Sequence, residues 1–244
     1  MLECFEAGII QLDAERRVVG MNQYARRVLP VEEKQPFERM VLSFHPERSQ
    51  PRVGFLLDQA AQCPVNDPPP MTLIIDIPER VLLIQASRLS GCDDQTTGFT
   101  LIFRDITELV SGDDSTMGRP DQHRPLLKIP TVAGQKVVLV DVDQVRAIRA
   151  DGHYVRVLTA AGSHFCNLAI SDLETRLDPA RFMRVHRSHI VNLHAVSALQ
   201  RDEGRLSLRL ADVEGAVPVS RSSTAGLLQR LGVPGGGGLP ARQG

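Results

Sequence analysis

Apolar and polar positions in the first 110 residues alternate in short runs, which a longer helical stretch interrupts. Five runs rich in Ile, Leu and Val have the length and spacing of strands: IIQLD, RVVGMN, MTLIIDIP, RVLLIQASRL and GFTLIFRDITEL. Residues 30–70 lie between the second and third runs, are helical and loop-like, and end in the rigid CPVNDPPP. This order predicts an α+β domain in which an antiparallel sheet holds helices on one face.

The pattern after residue 125 predicts a mostly-β domain instead. Apolar residues occur in short pieces divided by DGH and AAGS, and three further strand-like stretches follow: RFMRVHRSHIVNLHAVSAL, GRLSLRLAD and GAVPVSR. SDLETRLD is the one short helix candidate in this half. We expect Ser171 to cap its N-terminus, with Glu174 three residues later completing a capping box.

Two segments without periodic apolar positions divide the chain. SGDDSTMGRPDQHR, residues 111–124, is rich in Gly, Pro and Asp, which predicts a linker. VPGGGGLPARQG, residues 233–244, predicts a flexible tail. The expected domains are therefore residues 1–110 and residues 125–232.

Charge is distributed unevenly between the halves, although the net charge is only −1. Residues 1–124 carry 13 Lys and Arg against 19 Asp and Glu, whereas residues 125–244 carry 15 against 10. A basic second half favours a polyanionic partner.

Cysteine usage and hydropathy point to a reducing compartment. The four cysteines form no CxxC pair, which argues against a disulfide framework and a structural zinc site. No apolar run approaches the ~20 residues that a membrane helix needs. The N-terminal MLECFEAGII has no positive region before its apolar residues, so no secretory signal is expected. We expect a cytoplasmic protein without a membrane partner.

The first domain resembles the PAS sensor fold. The resemblance is carried by the opening strand–turn–strand with Asn22 after it, and by FRDITEL at 103–109. In PAS domains an Asp-Ile-Thr sequence of this kind leads from the last strand into a connector. The resemblance implies a domain that detects a signal through a buried cofactor or ligand.

The second domain resembles LytTR-type DNA-binding domains. Three separated motifs occur in the family's order: GHYVRVLT, FMRVHRSHIVNLHAV and VPVSRS. The resemblance implies a small β domain that sends loops into successive major grooves. By position, His153, Arg187 and Arg221 would contact bases, since arginine and histidine can hydrogen-bond base edges. Ser188 and Asn167 would contact the DNA backbone.

Three of the chain's seven histidines lie within RVHRSHIVNLHAV, which raises the alternative of a metal site. His186 and His189 lie three residues apart, and on one extended strand such residues point to opposite faces. His194 lies five residues further along. The spacing therefore argues against chelation, and we interpret His186 as a packed residue that supports the loop.

The whole chain resembles the heme-containing, carbon-monoxide-sensing PAS–LytTR regulators. Besides the motifs above, the resemblance is carried by FHPERS at 44–49, FLL at 55–57, CPVNDPPP at 63–70, IDIPERVLLI at 75–84 and KIP at 128–130. It implies heme b as cofactor, with His45 as the permanent axial ligand and the Cys63 thiolate as a ligand of the ferric iron. A methionine would then bind the ferrous iron and be displaced by CO.

One position departs from that pattern, because the family's methionine position is occupied by Leu73, which cannot bind a metal. Met71 lies two residues earlier, so on a strand it shares a face with Leu73 at a distance of ~6–7 Å. Three possibilities remain open: Met71 substitutes, another residue serves, or the ferrous iron stays five-coordinate. Without the resemblance, Cys63 and Met71 would equally well be core residues.

These observations predict a one-component transcriptional regulator. A heme-bearing PAS domain would bind CO, and a LytTR-type domain would bind double-stranded promoter DNA as a homodimer. A PAS transcription factor that senses redox state or another ligand without heme is the alternative. An enzyme is not expected, because neither Cys63 nor Ser188 belongs to a recognisable nucleophile–base motif.

Overall fold

The computed structural model describes residues 6–29, 37–45, 47, 50–62, 71–77, 80–93, 95–111, 125–133, 136–152, 154–202 and 204–233. For residues 52, 56, 62 and 71–77 it describes the backbone alone. The chain divides into two compact units. The first runs from Met1 to Glu108, and the second runs from Leu109 to Gly244 apart from residues 134–136. Most of the predicted linker 111–124 and of the predicted tail 233–244 lies outside the described residues.

The first unit is built on a five-stranded antiparallel sheet in the order β2-β1-β5-β4-β3. Its strands are β1 Gly8–Asp13, β2 Val18–Met21, β3 Met71–Ile77, β4 Arg80–Ser90 and β5 Thr96–Asp105. Helices α1 Gln23–Val28 and α2 Gln50–Gln62 lie between β2 and β3 in the chain, together with the 3-10 turn Val41–Phe44. The predicted order of strands and helices is confirmed.

One face of this sheet and the helices enclose a hydrophobic core. Alternate residues of β4 and β5 point into it, among them Leu82, Ile84 and Ala86, because successive strand residues point to opposite faces. Val53 and Leu57 of α2 pack against the same cluster. The helices therefore cover the face on which Ile84 and Ala86 lie.

The closing FRDITEL motif is tied to the start of β4. The Arg80 guanidinium pairs with the Asp105 carboxylate at 2.6 Å, and the backbone N–H of Val81 donates to the Thr107 hydroxyl at 2.8 Å. Asp105 also accepts from the Thr107 hydroxyl. The short helix α3, Thr107–Val110, begins at this junction. The Asp-Ile-Thr sequence thus ends β5, and its contacts with Arg80 and Val81 hold that end against the start of β4.

Two glycines of the first unit should respond oppositely to alanine. A Cβ at Gly98 would lie 2.3 Å from the backbone oxygen of Leu12, whereas one at Gly54 in α2 would meet only Leu42 Cδ1 at 4.0 Å. We expect Gly98→Ala to destabilise the protein by about 2 kcal/mol through overpacking. Gly54→Ala should stabilise it by about 0.5–1 kcal/mol, because alanine favours a helix interior. Urea unfolding of both variants checks this; equal midpoints would contradict it.

The second unit contains a seven-stranded antiparallel sheet in the order β11-β12-β8-β9-β10-β6-β7. Its strands are β6 Lys128–Ala133, β7 Lys136–Asp141, β8 Val145–Asp151, β9 Tyr154–Thr159, β10 Gly162–Cys166, β11 Phe182–His186 and β12 His189–Asn192. A second sheet follows, formed by β13 Val196–Asp202, β14 Arg205–Leu210 and β15 Val217–Pro218. The predicted mostly-β class is confirmed.

Two helices of this unit differ from the sequence-based expectations. Helix α4 spans Ile170–Arg176 and its N-cap is Ala169, so the prediction of Ser171 as N-cap is wrong. Ser171 lies inside the first turn, and Glu174 pairs instead with Arg184 at 2.7 Å. Helix α5, Arg221–Arg230, was not predicted, since SDLETRLD was the one helix candidate in this half. It forms because the Ser220 hydroxyl accepts from the Ser223 N–H and because the helix buries two leucines, Leu227 and Leu228.

Candidate functional site

His45 follows the 3-10 turn of the first unit and has a half-buried ring. The buried Val41 anchors the turn, while Leu42 and Phe44 pack against the core. His45 Nδ1 lies 3.0 Å from the Val41 carbonyl oxygen. A carbonyl only accepts hydrogen bonds, so Nδ1 carries the proton and donates it. The local fold therefore fixes the tautomer and leaves the Nε2 lone pair without a partner among the described residues.

Burial also favours the neutral form of this imidazole. Removal from water lowers the pKa of His45 below its usual value, and the hydrogen bond to Val41 opposes the shift only in part. Gln50 Nε2 donates to the His45 carbonyl at 3.1 Å, which ties the residue to the start of α2. A neutral, oriented imidazole whose other nitrogen donates to a backbone carbonyl is the arrangement that metal-binding histidines adopt.

Met71 and Leu73 lie at alternate positions of β3. Met71 pairs with Ala86 and Leu73 with Ile84 in the antiparallel ladder with β4. Directly opposed residues share a face of the sheet, and Ala86 and Ile84 belong to the face that the helices cover. Positions 71 and 73 therefore lie on the core face. Cys63 lies outside the described residues.

The residues described in the first unit fit a heme with a single histidine ligand. His45 meets the requirement for an oriented neutral nitrogen donor, and β3 places the two candidate positions for a second ligand on the core face. Within the described ranges, no three His, Cys, Asp or Glu side chains cluster closely enough to hold a bare metal ion. A heme would require from the protein a nitrogen donor such as the His45 imidazole, and it would supply the iron.

Arg187 lies in the two-residue turn between β11 and β12 of the second unit, with an exposed side chain. The turn is held from both sides. Arg184 Nη2 donates to the Arg187 carbonyl at 2.7 Å, while Arg184 Nη1 pairs with Glu174 of α4. On the other side, the N–H of Ala150 in β8 donates to the Ser188 carbonyl at 2.8 Å. Arg187 thus projects from a turn whose backbone is fixed.

The Ser188 hydroxyl bridges two imidazoles. Its Oγ lies 2.8 Å from His186 Nδ1 and 2.9 Å from His189 Nδ1. The Ser188 N–H also donates to His186 Nδ1, so that nitrogen acts as an acceptor. A hydroxyl has one proton, so the chain runs from His189 Nδ1–H to Ser188 and on to His186. The hydroxyl predicted to contact phosphate is therefore engaged within the turn.

The expectation that His186 and His189 point apart is wrong. The tight turn makes them a directly opposed cross-strand pair, with ring centroids 5.8 Å apart. The error lay in treating RVHRSHIVNLHAV as one extended strand. His194 lies in a 3-10 turn beyond β12, and the described part of the chain contains no cluster of three such side chains around the pair.

Arg221 is brought close to the Arg187 turn. It is the first residue of α5 and is exposed. The N–H of the preceding Ser220 donates to the Val185 carbonyl of β11 at 2.7 Å, two residues before Arg187. His153 lies outside the described residues. Asn167 is only 8% exposed, which does not favour its predicted contact with the DNA backbone, and that contact stays a prediction.

Sequence reasoning missed Arg184, which supports the turn by pairing with Glu174 and donating to the Arg187 carbonyl. The signal was present, because Arg184 stands three residues before Arg187 in the same motif. The prediction of a capping box had assigned Glu174 to the N-terminus of α4, whereas Glu174 pairs with Arg184 in the structure. The pairing depends on α4 packing beside β11, which no local pattern indicates.

The stability of the second unit should fall in mild acid. Burial, followed by the positive charges of His186 and Arg149, lowers the pKa of His189 to about 4. The unfolded chain, with a histidine pKa of ~6.5, then binds more protons than the folded chain. The stabilisation is complete above pH ~6.5 and is lost as the pH falls towards 4. Because the ring is partly exposed, we expect a loss on the order of 1 kcal/mol.

Urea unfolding of the full chain at pH 7 and pH 4.5 checks this expectation. His189→Gln should lose less stability between the two pH values than the wild type. His194→Gln, at an exposed position, should retain the wild-type loss. Parallel losses in the wild type and His189→Gln would contradict the role of His189.

Two family models match separate parts of the chain. The model of the PAS fold matches residues 2–111, and the model of the LytTr DNA-binding domain matches residues 135–232. Among the described residues, no helix is both long and apolar enough to cross a membrane.

Three curated proteins are similar over nearly the whole chain. The heme-containing CO-sensing transcriptional regulators RcoM 2 and RcoM 1 of Paraburkholderia xenovorans are 38% and 37% identical, and each alignment covers 95% of this chain and 91% of the relative. The CO-responsive transcriptional regulator RcoM of Rhodospirillum rubrum is 33% identical, with 93% of this chain and 95% of the relative covered.

Proposed function

Because this chain belongs to the RcoM family of heme-containing, CO-sensing transcriptional regulators, we propose that its first unit binds heme b and CO and that its second unit binds promoter DNA. The observation that carries the heme assignment is the His45 imidazole, half-buried and oriented by the Val41 carbonyl. When bound, the heme supplies the iron at which CO binds. We further propose that the output is DNA binding rather than catalysis, and that the protein acts in the cytoplasm, where promoter DNA lies.

We propose His45 as the permanent axial ligand, through Nε2. Its lowered pKa keeps the ring neutral near pH 7, as a metal ligand must be. The hydrogen bond to Val41 prevents the ring from turning its protonated nitrogen towards the iron. Cys63 remains the proposed ligand of the ferric state, on the family resemblance alone.

Met71 is the proposed ligand of the ferrous state. Its position lies on the core face of β3 opposite Ala86, a small residue, whereas Leu73 lies opposite the larger Ile84. A methionine chain is flexible enough to adapt to a displaced position. Its thioether would offer the iron a neutral donor that CO could replace.

Replacing Met71 with Leu is expected to change the ferrous absorption spectrum while leaving the ferric spectrum unchanged. The reason is that leucine fills the same space but has no donor atom. Leu73→Met in the Met71→Leu background should restore a thioether and with it a six-coordinate ferrous spectrum. An unchanged ferrous spectrum in Met71→Leu would remove this residue as a ligand and favour another donor or a five-coordinate iron.

For DNA, we propose that Arg187 and Arg221 contact base edges in the major groove, with His153 as a third reader. Arginine can donate two parallel hydrogen bonds to guanine. The proximity of the Arg187 turn to the start of α5 supports their action on one site. We further propose a homodimer, since two copies of such a unit would read repeated half-sites.

Absorption spectroscopy and DNA binding of the purified full chain test the function together. We expect a Soret band that shifts on reduction and again on addition of CO, and a DNA affinity that differs between the CO-free and CO-bound ferrous protein. A ligand shifts such an equilibrium only if it binds the two states differently. No Soret band would favour the heme-free, redox- or ligand-sensing alternative, and an unchanged DNA affinity would exclude CO as the controlling signal.

A further inference from the structure

Four cationic or titratable residues form a continuous row across the seven-stranded sheet. The ladder places three pairs directly opposite each other: His186 with His189, His189 with Arg149, and Arg149 with Arg156. Directly opposed residues of antiparallel strands share a face, with Cβ atoms ~4.5–5.5 Å apart. We call these four residues the Arg–His row; its permanent charges are those of Arg149 and Arg156.

One carboxylate, that of Asp151, lies beside the row, and its charge interacts with both Arg156 and Arg149. Arg156 Nε pairs with the Asp151 carboxylate at 2.5 Å, and its guanidinium lies over the Phe165 ring at 4.5 Å from the centroid. Arg149 is exposed, and none of the ion pairs among the described residues includes it. Like charges directly opposite each other destabilise a sheet. An exposed Arg149 directly opposite Arg156 is therefore suited to bind an anion from outside the protein.

The row adjoins the Arg187 turn. His186 and His189 are bridged by the hydroxyl of Ser188, and the Ser188 carbonyl accepts from Ala150, the neighbour of Arg149. Strands lie ~4.8 Å apart, so the three steps from His186 to Arg156 span ~14 Å. The phosphates of one DNA strand follow each other at ~3.4 Å along the helix axis. The row is therefore long enough to lie along several phosphates beside the turn.

We propose that Arg149 binds a backbone phosphate of the DNA whose bases Arg187 contacts, an inference that rests on the proposed DNA-binding function. Arg149 stands at the centre of the row, is exposed, and carries a guanidinium that can bind two phosphate oxygens at once. The contact gives affinity and orientation without reading sequence. The sheet face thus extends the DNA contact beyond the turn and α5.

The test uses the heme-loaded, CO-bound full chain and two fluorescent duplexes. One is selected from a random library by the wild-type protein, and the other has the same composition in shuffled order. Anisotropy titrations between 50 and 200 mM KCl would give affinity and salt slope for Arg149→Gln, Arg149→Lys and the control Arg209→Gln. Arg209 is an exposed arginine of β14 in the other sheet.

We expect Arg149→Gln to bind both duplexes about tenfold more weakly, since a charge-assisted hydrogen bond is lost. The salt slope should fall by about one, and the ratio between the two duplexes should stay constant. Arg149→Lys should retain most of the affinity, and Arg209→Gln should match the wild type.

Three results would overturn the proposal. Arg149→Gln could match Arg209→Gln, or it could change the duplex ratio at a constant salt slope, which would indicate a base contact. It could also bind DNA normally but fail to activate or repress transcription with purified polymerase, which would indicate an acidic protein partner. If the wild type selects no sequence, the base-reading function fails instead, and the shuffled duplex alone still tests Arg149.

Discussion

Purified His45→Gly protein is expected to retain almost no heme and to give no spectral response to CO. The substitution removes the one oriented imidazole of the first unit, together with its hydrogen bond to Val41. Loss of an outer-shell partner of a metal ligand already weakens metal binding by roughly 10- to 100-fold, so loss of the ligand itself should cost more. The heme-to-protein ratio from the absorption spectrum measures the effect.

Addition of imidazole separates ligation from a structural role. A free imidazole can enter the space that His45→Gly leaves and supply the missing nitrogen, so heme binding should recover in a concentration-dependent way. His164→Gly removes a histidine of the second unit, which hydrogen-bonds with Thr159, and should keep the wild-type heme content. Full heme content in His45→Gly without imidazole would exclude His45 as the axial ligand.

Arg187→Ala is expected to lose sequence discrimination while keeping a folded second unit. The side chain is exposed, and its backbone carbonyl, which holds the turn to Arg184, is retained in alanine. A bidentate contact between arginine and guanine contributes about 1–3 kcal/mol of discrimination, so the preference for selected over shuffled DNA should fall by about 10- to 100-fold. Anisotropy titrations with both duplexes at one salt concentration measure it.

The matched control is again an exposed arginine outside the proposed contact surface. Arg209→Ala removes the same charge from β14 and should preserve the preference. Arg184→Ala leaves the reader in place but removes the bond to its carbonyl, so it should reduce the preference by a smaller factor. If Arg187→Ala keeps the wild-type preference, the bases are contacted by Arg221 or His153 instead.

Much of the fold follows from local pattern. Runs such as RVLLIQASRL and GFTLIFRDITEL form β4 and β5, because alternate apolar residues can be buried only on one face of a sheet. Helix α5 was missed because VPVS reads as a strand and because the helix buries only two leucines. The N-cap of α4 was placed at Ser171 because serine is a common cap, yet the helix begins one residue before it.

The site could be predicted only in part, for a different physical reason. His45 and Arg187 follow from motifs, and the bond from His45 to Val41 spans four residues. By contrast, the opposition of His189 and Arg149 depends on strand register between residues 40 positions apart. No short stretch of the sequence shows that these two residues pair across neighbouring strands. The turn at Arg187 and Ser188 was equally hidden, since it lacks the Asn or Gly that marks most two-residue hairpins.

The bonds that hold the Arg187 turn have a consequence for the kinetics of DNA recognition. Ordering the backbone of a flexible residue costs ~1–2 kcal/mol, and here that cost is met when the unit folds rather than when it meets DNA. The encounter then requires little rearrangement, so correct and incorrect sequences should be captured at similar rates. Discrimination between them should lie in how long each complex survives.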